Sequence, residues 1–200
     1  MPSITNAKVL IMAANGFEQS ELEVPRDTLA KAGADVKIAT PDGEDVTGWD
    51  TNDWGNKVAS DLAIAKVKVD DFDVLVLPGG QINPDLLRVN DDALEVITEF
   101  SAQNKPIAAI CHGPWLLIEA KLIDGVTATS YKSIRTDMEN AGARWRDEEV
   151  VFDRGIITSR NPDDLDAFCK TIVKAVEHPA PMETVSNAAQ EGDDARMLPA

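Results

Sequence analysis

Four short apolar runs recur along this chain, at 7–13, 34–40, 73–77 and 106–110, and stretches of helical period lie between them. Ala7-Lys-Val-Leu-Ile-Met-Ala13 and Asp73-Val-Leu-Val-Leu77 are nearly continuous in apolar residues. A strand with one wet face alternates polar and apolar, whereas a strand covered on both faces does not. Glu18 to Lys31 reads as a helix carrying Leu22, Leu29 and Ala30 and ended by Gly33, so the chain opens β-α-β. Pro25 is either early enough to be tolerated or marks a later start. Further helices are predicted at Asn83–Leu87, at Asp91–Gln103 with its Asp-rich first turn, and at Gly113–Lys121, Ser133–Ala141 and Asp163–Val176. Pro41–Lys57 lacks a period and predicts turns with a short hairpin; Ala59–Lys66 predicts a strand end and one helical turn. A short strand is expected at Val126–Thr129 and a strand pair at Val150–Phe152 and Gly155–Thr158. The alternation requires an α/β fold, a mainly parallel sheet with helices on both faces joined by right-handed crossovers.

With 200 residues, 44% apolar and 27% charged, residues 1–178 read as a single domain with a substantial core. Pro179 to Ala200 is poor in large apolar residues and reads as an acidic extended or disordered tail. A net charge of −16 repels phosphate backbones and anionic lipid, so neither nucleic acid nor membrane is an expected partner. The start lacks the basic and apolar regions of a secretory leader, and no run is long enough to cross a bilayer. Two cysteines do not make a disulfide framework, which predicts a reducing, cytoplasmic setting.

One of those cysteines stands at a chemically informative place. In Ala108-Ala-Ile-Cys111-His-Gly-Pro114 a buried strand runs straight into Cys111, and a helix starts a few residues on. That is the strand-turn-helix context of a nucleophile elbow, at the carboxyl end of a parallel strand where ligands bind. The helix N-terminus beside it favours a thiolate. A free cysteine is otherwise usually a buried, inert packing residue, and mid-helix Cys169 fits that description. Two readings of His112 stand side by side: a general base for the thiol, or a backbone N–H that shapes the pocket. Pro78-Gly79-Gly80, after a neighbouring strand, is either a tight turn or a source of oxyanion-binding N–H groups. Glu18, at the same sheet edge, is either an ordinary helix-start acid or a protonated donor to the thiolate. Glu21 and Glu23 fit the ordinary helix acid. No Cys/His spacing suggests a metal, and no cofactor is expected.

Together, Asn15-Gly-Phe-Glu18, Leu75-Val-Leu-Pro-Gly-Gly80, Ala109-Ile-Cys-His-Gly-Pro-Trp115, Ile134-Arg-Thr-Asp137 with Asn140-Ala-Gly-Ala143, and Thr158-Ser-Arg-Asn-Pro-Asp163 resemble the PfpI-type intracellular protease family. That family lies within the superfamily of the parkinsonism-associated protein deglycase, and the resemblance covers roughly residues 7–178. It implies a flavodoxin-like three-layer sandwich of the glutamine-amidotransferase type. It also implies Cys111 as nucleophile, Glu18 as the protonated partner of its thiolate, and Gly80 with the N–H of His112 as oxyanion hole. In protease-like members an acid after the PGG turn completes a triad across a subunit interface; here it matches Asp85, with a shorter side chain than the family's Glu and one extra residue before it. The segment 47–57 departs as well, with Asp53-Trp54-Gly55 where some relatives carry a His-containing turn.

Three functions are compatible with one activated thiol. The first is a cofactor-independent, stress-response hydrolase acting on reactive carbonyls, a small aldehyde or glycated side chains, in the manner of a glyoxalase or deglycase. The second is a cysteine peptidase or amidase acting on peptides. The third is a redox-sensing stress protein oxidised at Cys111. The resemblance implies a dimer or larger homo-oligomer.

Overall fold

The computed structural model describes residues 3–178, so the predicted tail lies outside the described residues. In chain order the elements are β1 (Lys8–Met12), α1 (Gln19–Lys31), β2 (Asp35–Thr40), β3 (Val46–Asp50), β4 (Asp53–Val58), β5 (Leu62–Ala63), β6 (Val74–Leu77), α2 (Ile82–Leu87), α3 (Asp91–Ala102) and β7 (Ile107–Ile110). They continue with α4 (Pro114–Glu119), β8 (Thr127–Ala128), α5 (Arg135–Asn140), β9 (Arg144–Trp145), β10 (Val150–Asp153), β11 (Ile156–Ser159) and α6 (Leu165–Glu177). Seven strands form one sheet in the order β10-β11-β7-β6-β1-β2-β5, parallel throughout except for the β10–β11 hairpin at one edge.

The continuous apolar strands have the cause inferred from sequence. Leu10, Met12, Leu75, Leu77, Ile107 and Ala109 point to one face, where they meet Phe100 of α3, Leu116 and Leu117 of α4 and Met138 of α5. Their alternates Val9, Ile11, Val74, Val76, Ala108 and Ile110 point to the other, against Leu22 and Leu29 of α1 and Phe168 and Ile172 of α6. Both faces are covered along the middle of these strands, which is why only an end such as exposed Lys8 is polar. The α/β three-layer architecture read from the sequence is the one observed.

Helix α1 runs through Pro25 rather than starting after it. The ring deprives only the Glu21 carbonyl of its bond, and Pro25 itself is buried against the core. The 41–57 segment forms the β3–β4 hairpin, closed by Thr51 at a φ of 58°. Strand β8 does not join the main sheet; it pairs with β9, a strand too short to leave a sequence pattern. No helix of the described residues is long and apolar enough to cross a membrane.

The topology positions the site. From β1 the chain works outward through β2 to β5, then returns to the opposite side of β1 as β6. The order reverses between β1 and β6, and the loops leaving their carboxyl ends diverge there into a crevice. Those loops are 13–18 and Pro78-Gly79-Gly80, and the elbow after β7 is next to them.

Candidate active site

Cys111 follows β7 directly and has a φ of 62°, the left-handed region a side chain adopts at a cost of about 1–2 kcal/mol. Three bonds hold it there. Its N–H donates to Ser159 O at 3.0 Å, its carbonyl accepts from Tyr131 N at 2.8 Å, and Gly113 N donates to Ile110 O at 2.8 Å. Gly113 has no alternative residue, since a Cβ there would lie 2.6 Å from Leu77 O. The elbow expected from the sequence is present, and Cys111 is buried except for a 6% exposure at the floor of a cleft. That cleft has a volume of about 380 Å³; Glu18, Glu21, Trp49, Ile82, His112 and Tyr131 are among its walls.

The carboxyl that meets the thiol is Glu21, and this corrects the expectation for Glu18. Glu18 is the N-cap of α1: its Oε2 accepts from Glu21 N at 2.9 Å and from Ser20 Oγ at 2.5 Å. Its side chain is turned back on its own helix, and it forms the rim of the cleft. One turn on, Glu21 lies on the inward face with Leu22, Pro25 and Leu29 and is fully buried. Its Oε2 accepts from Gly79 N at 2.8 Å, and its carboxyl lies against the Cys111 side chain. Its Oε1 is buried with no conventional hydrogen-bond partner. The signal that could have found it is the phase: a glutamate four residues before Pro25 and eight before Leu29, on the stripe that must face the sheet.

Burial, then the nearby charge of Glu18, pushes the Glu21 carboxyl from an ordinary value of 4.5 up to about 8, so that it keeps its proton at neutral pH. Burial also pushes the Cys111 thiol up, and so does Glu21 while it is ionised; the N–H groups of Gly80 and His112, both aimed at Sγ, pull it down. The Glu21 penalty vanishes while that carboxyl is protonated, because a neutral acid offers sulfur a donor instead of a charge.

His112 does not diverge from its neighbour. Nδ1 lies 3.2 Å from Cys111 Sγ, and Nε2 lies 3.1 Å from Ser133 Oγ. The ring stacks on Tyr131 with centroids 5.0 Å apart and meets the edge of Trp115 at 5.1 Å. Burial lowers its pKa, so it is neutral at physiological pH. Asp85 is exposed in the first turn of α2, and within the chain neither ring nitrogen of His112 bonds to it.

The Pro78-Gly79-Gly80 turn is shaped by contact. A Cβ on Gly79 would lie 2.6 Å from Glu21 Oε2 and 2.7 Å from Cys111 Cβ. Gly80 has a φ of 77°, and a Cβ on it would lie 2.5 Å from Gly16 O. Gly79→Ala is therefore expected to lower stability by about 2–3 kcal/mol, read as a fall of the urea midpoint with unchanged m. The sequence reading missed Asn83. It is fully buried; Oδ1 accepts from Ala14 N at 2.7 Å, and Nδ2 donates to Pro78 O at 2.9 Å and Gly79 O at 3.2 Å. One amide thus ties the loop after β1 to the turn after β6. The hairpin departure at Asp53-Trp54-Gly55 places Trp54 in the open, edge-on to Trp49 at 5.6 Å, and Trp49 forms a cleft wall. Cys169 is buried in α6, as a packing cysteine.

Comparison with known proteins places the chain in a family. Residues 7–175 match the model of the DJ-1/PfpI family. The chain is 42% identical over 170 residues to Deglycase PfpI of Pyrococcus furiosus, spanning 85% of this chain and 99% of that protein. It is 44% identical over 162 residues to YraA of Bacillus subtilis, provisionally named a cysteine protease, spanning 80% of this chain and 93% of that one. The crystal structure of Drosophila melanogaster DJ-1beta superposes with a TM-score of 0.78 at 29% identity, over 86% of this chain and 90% of that one. The chain belongs to the DJ-1/PfpI family.

Proposed function

We propose that the protein is a cysteine-dependent hydrolase of reactive carbonyls, converting methylglyoxal to lactate and removing the same group from glycated side chains. The observation that carries this reading is the thiol of Cys111 set between the buried carboxyl of Glu21 and the imidazole of His112, at the floor of a small cleft. The name of the Pyrococcus furiosus relative is consistent with it.

The chemistry follows from the positions. Sγ attacks the aldehyde carbon while its proton passes to Nδ1 of His112, and the N–H groups of Gly80 and His112 hold the developing oxyanion. The imidazolium returns that proton to the oxygen, giving a hemithioacetal. Neutral again, His112 takes the proton from the former aldehyde carbon as the neighbouring carbonyl becomes an enediolate oxygen; the proton is then delivered to that neighbouring carbon, and the hydroxyl hydrogen of the hemithioacetal passes to the neighbouring oxygen. The result is a thioester of lactate on Cys111, which water cleaves to lactate and free thiol. Glu21, protonated, offers its hydrogen to sulfur while negative charge is there, and it costs no extra charge in a dry site. No step needs a co-reactant other than water.

The pairing of Cys111 with His112 at 3.2 Å also suits attack on an amide, and this favours a peptidase or amidase as the second reading. Cleavage of a peptide that survives His112→Ala would rule it out. For the first reading, the assay is lactate formed from methylglyoxal by purified protein. The wild type yields lactate and Cys111→Ala does not; equal yields from the two remove the proposal.

A further inference from the structure

We propose that Ser133 is the positioning residue for His112, and that its hydroxyl completes a Cys111–His112–Ser133 triad within a single chain. The proposal rests on the reading of Cys111 as nucleophile and His112 as its base.

A base next to a nucleophile needs one ring nitrogen free to take the proton and the other anchored, so that the tautomer and the ring plane are both set. The plane is set by packing. Tyr131 stacks on the ring at an interplanar angle of 26°, and its backbone is fixed by the bond from Tyr131 N to Cys111 O. Trp115 closes the other side at 65°, held in turn by its Nε1 donating to Asp137 Oδ2 at 2.9 Å and by Arg88 over its ring. The ring cannot leave this slot without breaking those contacts, so what remains to be decided is which nitrogen carries hydrogen.

Ser133 decides it. The residue sits in the one-turn helix Lys132–Ile134 ahead of α5, and its Oγ is 3.1 Å from Nε2. A hydroxyl accepting from Nε2–H leaves the Nδ1 lone pair directed at the Cys111 thiol, 3.2 Å away. When Nδ1 takes the thiol proton, the same hydroxyl still accepts from the imidazolium. A neutral orienter suits this site better than a carboxylate would, because the cleft already holds Glu18 and Glu21. A carboxylate brought to Nε2 from elsewhere, such as Asp85 of a second copy, would first have to displace Ser133.

The test compares Ser133→Ala, Ser133→Thr and Asp85→Asn, with two readouts on each intact protein. The first is the ring ¹⁵N spectrum of His112, resolvable because the chain has only two histidines. The second is kcat and KM for methylglyoxal. In the wild type Nε2 carries the hydrogen at neutral pH. Ser133→Ala is expected to show a mixture of tautomers and a kcat lowered about tenfold with KM within about twofold. Ser133→Thr, which keeps the hydroxyl, restores both, and Asp85→Asn costs less than Ser133→Ala. The proposal is overturned if Ser133→Ala keeps the wild-type tautomer, if Ser133→Thr fails to restore it, or if Asp85→Asn costs more. Were the wild type to form no lactate, the carbonyl reading would fail while the ¹⁵N spectra still decided the role of Ser133.

Discussion

Glu21→Gln is expected to raise the melting temperature at pH 8 by about 10–18 °C while lowering lactate formation about a hundredfold. The two effects have one cause. Burial holds the Glu21 carboxyl at about 8, well above its ordinary 4.5. Between those values the unfolded chain releases a proton that the folded chain retains, so stability falls as pH rises through the window. This contribution is fully present below pH 4.5 and is lost on passing about 8, a difference of about 5 kcal/mol. Gln has the same shape, can accept from Gly79 N, and has nothing to ionise. The gain in melting temperature therefore vanishes near pH 4.5 and is largest at pH 8. Turnover falls because an amide N–H is a weaker donor to the sulfur, while it carries negative charge, than the carboxylic O–H of Glu21. The matched variant Glu18→Gln removes only the smaller contribution of a neighbouring charge to Glu21 and weakens a helix cap, so its pH-dependent gain is smaller than that of Glu21→Gln. A thermal scan series from pH 4.5 to 8 checks this; parallel shifts at every pH would contradict it.

Asn83→Ala is expected to be the most damaging single change outside the reacting groups. It leaves the N–H of Ala14 and the carbonyls of Pro78 and Gly79 without their side-chain partner in a fully buried position. Unmade bonds of that kind cost about 1–3 kcal/mol each, so a total loss near 4 kcal/mol and a fall of about 8–16 °C in melting temperature are anticipated. Activity suffers at temperatures where the protein remains folded, since Gly79 and Gly80 lose the tie that sets their N–H groups. Differential scanning calorimetry with activity measured well below the transition separates the two effects. An unchanged melting temperature would show that water replaces the amide.

How much of this was legible in the sequence follows from what each residue had to signal. The strands were legible because burial on both faces keeps polar residues to their ends, and such runs alternating with helical stretches point to a parallel sheet. Cys111 was legible because small residues, a strand and a Gly-Pro helix start converge on it within a few positions. Glu21 was not, because its role depends on where α1 begins. Once Glu18 caps the helix, position 18 turns back on its own helix and position 21 turns in; the phase with Pro25 and Leu29 carries that signal, but only after the helix start is fixed. Asn83 and Ser133 were illegible for a different reason. Each acts through residues distant in sequence, Ala14 and His112, and nothing local marks an asparagine or serine for such a contact. Strand β9, two residues long, lacks any period to read.

The central claim is that Cys111 is the residue that takes the carbonyl. Peptide mass spectrometry of the protein quenched during turnover of methylglyoxal tests it most directly. An adduct of one methylglyoxal mass on the peptide containing Cys111, absent from the peptide containing Cys169 and from Cys111→Ala, is the predicted result. Lactate formed at the wild-type rate while Cys111 stays unmodified, or an adduct carried by Cys169 instead, would contradict it.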